Sequence, residues 1–332
     1  MEAIKDNFTS FTKQNGLRIV VVVLSFLLTT CAYMGATLRF EGNYIHRHQW
    51  ISTFADYKKE LREEIYPSTP ILLIAGDSTP LFGIDAGILS ENLGRPVLNY
   101  GLGAASGLST ILTETLNAVK SGDEVVLIVS DRLLAESSEL YLNQALVNIL
   151  DQDEFAAASW RNRINSFLFT PWDIILFGFG DSVADKHFHR VYQTHSLGKL
   201  GDMKANVIAS NTPPKLPNKI TQAYPVSKSA VTRLRRFQKD LNDMDVKLSL
   251  LLSPRMRGHT ERKRYVSVFS DNIEALRTAG IRVLTSPDDV SQISFDKQYL
   301  YDFDTHLNTT GRAIFTDYLS KKILQQDRKT LL

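Results

Sequence analysis

Two short stretches at opposite ends of the chain hold residue types that together could carry out acyl transfer. Gly76-Asp77-Ser78-Thr79-Pro80 follows a continuous apolar run, Ile71-Leu72-Leu73-Ile74-Ala75. A serine on a tight strand-to-helix turn presents its hydroxyl away from the backbone, and the amides after it can face a developing oxyanion. Gly76 permits such a turn, and Pro80 suits the first turn of a helix. The second stretch is Asp302-Phe303-Asp304-Thr305-His306-Leu307-Asn308. A serine hydroxyl needs a base to take its proton, and the base needs a carboxylate to hold its tautomer. His306 with Asp304 supplies both, and Asp302 is the alternative carboxylate. On an extended segment 302, 304 and 306 share a face. On a tight turn the nearer Asp304 reaches the imidazole, so Asp304 is the expected partner.

These residues need a frame. Apolar runs at 71–75, 97–98, 125–129, 248–252 and 281–284 read as buried strands, the first ending at Gly76-Asp77-Ser78. Helical spacing lies between them: Leu108, Ile111, Leu112, Leu116 and Val119 form one apolar face, and Ile314, Phe315, Tyr318, Leu319 and Ile323 another. Such alternation implies an α/β fold with a mostly parallel sheet and helices on both faces, with sites at the carboxyl ends of the strands. Residues 132–240 break the alternation and read as an insertion. It holds an aromatic run from Phe167 to Phe177, too interrupted to cross a bilayer, and an extended stretch at 210–225 with Pro213, Pro214 and Pro217.

Ahead of the sheet lie twenty uncharged residues, Ile19 to Leu38. At 1.5 Å per residue they cover about 30 Å, the thickness of bilayer hydrocarbon. An uncleaved signal anchor is the preferred reading. The alternatives are a cleaved signal peptide and a lipoprotein signal, in which Leu28-Thr29-Thr30-Cys31 would be the lipid-accepting sequence. Lys5, Lys13 and Arg18 precede the segment, and Arg39, Arg47, Lys58 and Lys59 follow it, so charge alone barely orients it. A short tail before one anchor favours residues 1–18 in the cytoplasm and the large domain outside. Residues 39–69, rich in charge at 58–64, read as a solvated stalk.

Other chemistries are disfavoured. There are 38 Lys plus Arg against 36 Asp plus Glu, and no block of like charge, so nucleic acid is not an expected partner. The single cysteine, Cys31, excludes an intrachain disulfide and a cysteine-based metal cluster. His187, His189 and His195 lack a carboxylate at ligand spacing, and no metal is expected. Gly101-Leu102-Gly103 has no third glycine at dinucleotide spacing, so no nicotinamide cofactor is expected, nor any other. Arg233, Arg235, Arg236 and Lys239 read as the solvated face of a helix.

Taken together, Gly-Asp-Ser after the first strand and an Asp/His pair before the last helix resemble the SGNH (GDSL-type) hydrolase superfamily. The resemblance covers about 71–131 and 296–320. It implies a three-layer, flavodoxin-like sandwich spanning 70–328, with Ser78 as nucleophile and His306 as general base. Asn99-Tyr100-Gly101 is similar to the family's second block, which implies the Gly101 amide as an oxyanion donor beside that of Ser78. The family's usual carboxylate position, three before the histidine, is Phe303 here. Asp304-x-His306 instead resembles the membrane-anchored alginate O-acetylation branch. Gly76-Asp77-Ser78 followed by Phe82-Gly83-Ile84-Asp85 also resembles the D-alanyl transfer protein of lipoteichoic acid synthesis. The third block's asparagine has no counterpart at Ser130-Asp131-Arg132, leaving Ser130, Asn99 or Asp77 as further site candidates.

The resemblance implies a serine acyl-ester enzyme outside the cytoplasm. It would move an acyl group, acetyl by preference, onto or off a cell-envelope or secreted glycan, beside a multi-span membrane-bound O-acyltransferase. A non-catalytic glycan-binding or scaffold subunit of such a complex is the alternative, and a lipid esterase at the bilayer surface a third.

Overall fold

The computed structural model describes residues 2–135, 193–204, 224–260 and 263–331. Most of the expected insertion, including the aromatic run at 167–177, His187 and His189, and the proline-rich residues 210–223, lies outside them.

The apolar run before Gly76 forms β1 (Leu72–Gly76), every residue of it buried. Asp77 then stops the strand and caps α2 (Ser78–Gly83), its Oδ1 accepting the Thr79 amide at 2.7 Å. Gly76 has φ +149°, and a Cβ there would lie 1.8 Å from the Ile128 carbonyl oxygen, so only glycine lets β1 turn this close to its neighbour. The chain continues through α3 (Ala86–Leu93), β2 (Val97–Gly101), α4 (Gly107–Ala118), β3 (Glu124–Val129) and α5 (Asp131–Leu134). After 223 come α6 (Lys228–Asp243), β4 (Lys247–Leu252), β5 (Arg255–Met256), α7 (Arg257–Thr260), α8 (Lys263–Thr278), β6 (Ser294–Phe295) and α9 (Thr309–Leu331).

Among the described residues, four strands form a parallel sheet in the order β2-β1-β3-β4, with Gly76 opposite both Gly101 and Ile128. The fold is therefore α/β with a parallel sheet. Helix α3 packs with α9, and α4 with α6. The expected fifth strand at 281–284 is reduced to one parallel bridge, Leu250 to Val283. The next rung is made by a side chain: Leu252 N–H donates to Thr285 Oγ1 at 3.0 Å, and Ser286-Pro287 opens a 3-10 turn that ends the pairing.

Helix α6 falls within the stretch read as an insertion, yet it joins the sheet domain. Ala230, Leu234, Phe237 and Leu241 bury one face of it. Arg233, expected on a solvated face, is also buried and donates to Ser109 Oγ at 3.1 Å, whereas Arg236 and Lys239 are exposed.

The most extended element is α1 (Glu2–Ile65). Its window Arg18–Ala36 has a mean hydropathy of 2.2 and no buried side chain, and it is long and apolar enough to cross a membrane. The softer half is compatible with lipid, because Thr29 and Thr30 return their hydroxyls to the carbonyls of Ser25 and Phe26. The end of α1 corrects the solvated-stalk expectation. Phe54, Ala55, Lys58, Leu61 and Arg62 are buried, at spacings that place them on one helical face. Burial of the two cations is offset by specific partners. Lys58 Nζ donates to the carbonyls of Asn99 (3.0 Å) and Gly101 (2.5 Å), on the edge of β2 that no other strand among the described residues covers. Arg62 meets both carboxylate oxygens of Asp123 at 3.1 Å.

Candidate active site

Ser78 is the first residue of α2, two beyond the last residue of β1, at the carboxyl edge of the sheet. His306 reaches it from the other end of the chain. Residues 299–308 fold into a narrow hairpin: Leu300 and Leu307 form an antiparallel bridge, Tyr301 N–H donates to the His306 carbonyl at 2.8 Å, and Asn308 N–H to that of Tyr299 at 2.9 Å. Its base is anchored by buried Leu307 and by Gly311, whose Cβ would sit 2.5 Å from the Tyr299 carbonyl oxygen. Ser78 Oγ and His306 Nε2 are 2.7 Å apart, with the residues only 8% and 4% exposed.

The carboxylate on the far side of the imidazole is Asp302, not Asp304. His306 Nδ1 lies 2.6 Å from Asp302 Oδ1. The hairpin explains this: the chain reverses between 302 and 306, with His306 N–H bonded to the Phe303 carbonyl, so residues four apart face each other across the turn. Asp304 is held elsewhere, its Oδ2 accepting from Arg255 Nη1 at 3.0 Å. Arg255 Nη2 also bonds Asp131. A carboxylate only accepts, so Asp302 fixes the proton on Nδ1 and leaves Nε2 free to accept from the Ser78 hydroxyl. The ring is also held by its faces: Phe82 stacks on it at 4.1 Å and 12°, and Phe303 meets it edge-on at 5.1 Å.

The other candidates are near the serine but otherwise engaged. The Gly101 amide, expected to face an oxyanion, donates to Asn99 Oδ1 at 3.0 Å. Asn99 is spent in turn, its Nδ2 lying 2.7 Å from the Pro80 carbonyl, 3.3 Å from that of Ile84 and 3.1 Å from Asp202 Oδ1. Ser130 N–H donates to Asp77 Oδ2 at 3.0 Å, so Asp77 ties β3 to the serine turn. The Ser78 amide, as a first-turn N–H, has no acceptor within its own helix.

Burial pushes the Lys58 ammonium down to about 7, against the pull of the Asp202 carboxylate. Burial likewise raises Asp202 to about 6, opposed by Arg312. Among the described residues no group of His, Cys, Asp and Glu could hold a metal, and His195 is exposed. A cavity of about 330 Å³ opens at the opposite edge of the sheet, between Ile71, Arg95, Asp123 and Lys247, away from Ser78.

Sequence reasoning missed Arg255, Phe82 and Lys58. Two of them had a signal. Phe82 lies one helical turn after Ser78, and Arg255 lies just beyond the carboxyl end of β4, the address where sites form.

No protein-family model matches the chain, and no curated protein matches it. Among solved structures, tagatose-6-phosphate ketose/aldose isomerase from Escherichia coli aligns over 87% of this chain and 90% of its own, at 13% identity and a TM-score of 0.17. A similarity that low carries no argument about fold or function.

Proposed function

We propose that the protein is a membrane-anchored serine acyl-ester enzyme of SGNH type, with its sheet domain outside the cytoplasm. The helix pairs α3/α9 and α4/α6 would form the outer layers of a three-layer sandwich. One observation carries the reading: Ser78 Oγ, His306 and Asp302 stand in line at 2.7 and 2.6 Å at the carboxyl edge of a parallel sheet. Ser78 Oγ attacks the acyl carbonyl while His306 Nε2 takes its proton. The tetrahedral intermediate collapses as His306 returns that proton to the departing alcohol, leaving an acyl-serine. A sugar hydroxyl or water, deprotonated by His306, then attacks the acyl-serine, releases the new ester or acid and restores Ser78. The Ser78 amide is the oxyanion donor in this scheme. The resemblance favours acetyl as the acyl group, a cell-envelope or secreted glycan as donor or acceptor, and a multi-span membrane-bound O-acyltransferase as partner.

A second reading, a non-catalytic scaffold or glycan-binding subunit, draws support from a specific observation. The Gly101 and Ser130 amides and the Asn99 side chain are all committed to internal bonds. Turnover of a chromogenic acetyl ester by the full chain in detergent separates the two. The enzyme reading expects measurable hydrolysis and its loss, by at least 10³-fold, in Ser78→Ala. Equal rates for wild type and Ser78→Ala would leave the scaffold.

A further inference from the structure

The docked end of α1 has a direction. Phe54 packs with Leu81, Phe82, Leu197 and Met203 just beyond the serine turn. One turn on, Lys58 holds the carbonyls of Asn99 and Gly101 at the carboxyl end of β2. One turn further, Arg62 holds Asp123, which immediately precedes β3, and lies 3.3 Å from the Thr69 carbonyl, ahead of β1. The helix therefore descends from the carboxyl edge to the amino edge, antiparallel to the strands, and the chain turns at 66–71 to enter β1. Followed the other way, α1 leaves the domain at the Ser78 edge and continues without a break to the apolar window ending at Ala36.

We propose that α1 is a strut of fixed length that turns the Ser78–His306 edge toward the bilayer, so that the site acts on an ester carried by a molecule anchored in the same membrane. The 18 helical steps from Ala36 to Phe54 set the height at about 27 Å along the helix axis. Anchoring both reactants in one surface raises their effective concentration, provided that the reach of the substrate matches that height. The orientation rests on residues 18–36 crossing the membrane, and the substrate class rests also on the acyl-ester reading above.

Two measurements on the full chain in vesicles test it, in a Cys31→Ser background. The first uses energy transfer from a donor at Phe303→Cys or at Lys247→Cys to acceptor-labelled lipid headgroups. Position 303 lies in the His306 hairpin, and 247 begins β4 about 20 Å away at the amino edge. Stronger transfer from 303 is expected; equal or reversed transfer overturns the orientation, whether or not the protein is an enzyme. The second compares one chromogenic ester free in solution and attached to a phospholipid through a spacer of about 30 Å. A seven-residue helical insertion near residue 45 lifts the site by about 10 Å and keeps the helical phase. It should lower turnover of the lipid-borne ester about tenfold and leave the free ester unchanged. Equal effects on both substrates overturn the membrane-borne substrate. Loss of free-ester turnover in the wild type itself points to failure of the enzyme reading instead, with the energy-transfer result still deciding the strut.

Discussion

Asp302 and Asp304 stand two residues apart beside one histidine, and their surroundings give them different work. Asp302 Oδ1 is 2.6 Å from His306 Nδ1, while Asp304 is one of two carboxylates on the buried Arg255. Removing the carboxylate that fixes a catalytic imidazole costs about 10⁴ in turnover in the serine-protease triad. Asp302→Asn should therefore lower ester turnover by roughly 10³ to 10⁴, and Asp304→Asn by far less, because Asp304 bonds Arg255 and it is Asp302 that meets the imidazole. A larger loss from Asp304→Asn would reverse the assignment. Lys58 gives stability a pH dependence. Below pH 7 the amine is protonated in folded and unfolded chains alike, so the cost of burying its charge is fully present. Between about 7 and its ordinary 10.5 the unfolded chain binds the proton and the folded one does not, so stability rises with pH across that window. Melting temperatures of wild type should climb there relative to Lys58→Met. Parallel profiles would mean that the amine keeps its ordinary proton affinity.

The end of α1 is joined to the sheet by polar as well as apolar contacts. Arg62 and Asp123 are almost wholly buried, and Asp123 also receives the amides of Ile71 (2.7 Å) and Lys120 (2.8 Å). It thereby links α1, the start of β1 and the turn before β3. Removing one partner from a buried ion pair leaves an uncompensated charge and costs about 3–5 kcal/mol. Arg62→Met should lose stability of that order in a urea titration of the full chain in detergent. A loss below about 1 kcal/mol would place the pair in the class of weak surface bridges. The loop 193–204 protects β2 in the same way: Leu200 accepts the Asn99 amide at 2.9 Å, and Gly201 passes so close that a Cβ there would lie 2.2 Å from the Asn99 carbonyl oxygen.

The apolar window of α1, long and apolar enough to cross a bilayer, predicts a membrane-anchored protein. The chain should stay with membranes through alkaline and high-salt washing and keep residues 1–18. Recovery of a chain beginning at Cys31 or later would indicate a lipidated cysteine or a cleaved signal. Cys31 itself lies exposed on the apolar helix.

Elements whose burial is continuous or periodic were legible in the chain: the four strands of the parallel sheet, the apolar helix, and the serine at the end of the first strand. Each depends on residues close together in the chain, where side-chain period and turn chemistry are local properties. The sequence also singled out His306, because few residue types can deprotonate a serine near neutral pH. Tertiary structure alone decided which groups bond. The hairpin at 299–308 reverses the chain and gives the imidazole to Asp302, and Arg255, just beyond the carboxyl end of β4, takes Asp304. Lys58 and Arg62 look solvated in sequence because charge is read there without its partners. Their burial depends on carbonyls at an open strand edge and on an aspartate 61 residues away. Likewise, the Gly101 amide looks available in sequence and is closed in space by the side chain of Asn99, two residues before it on the same strand.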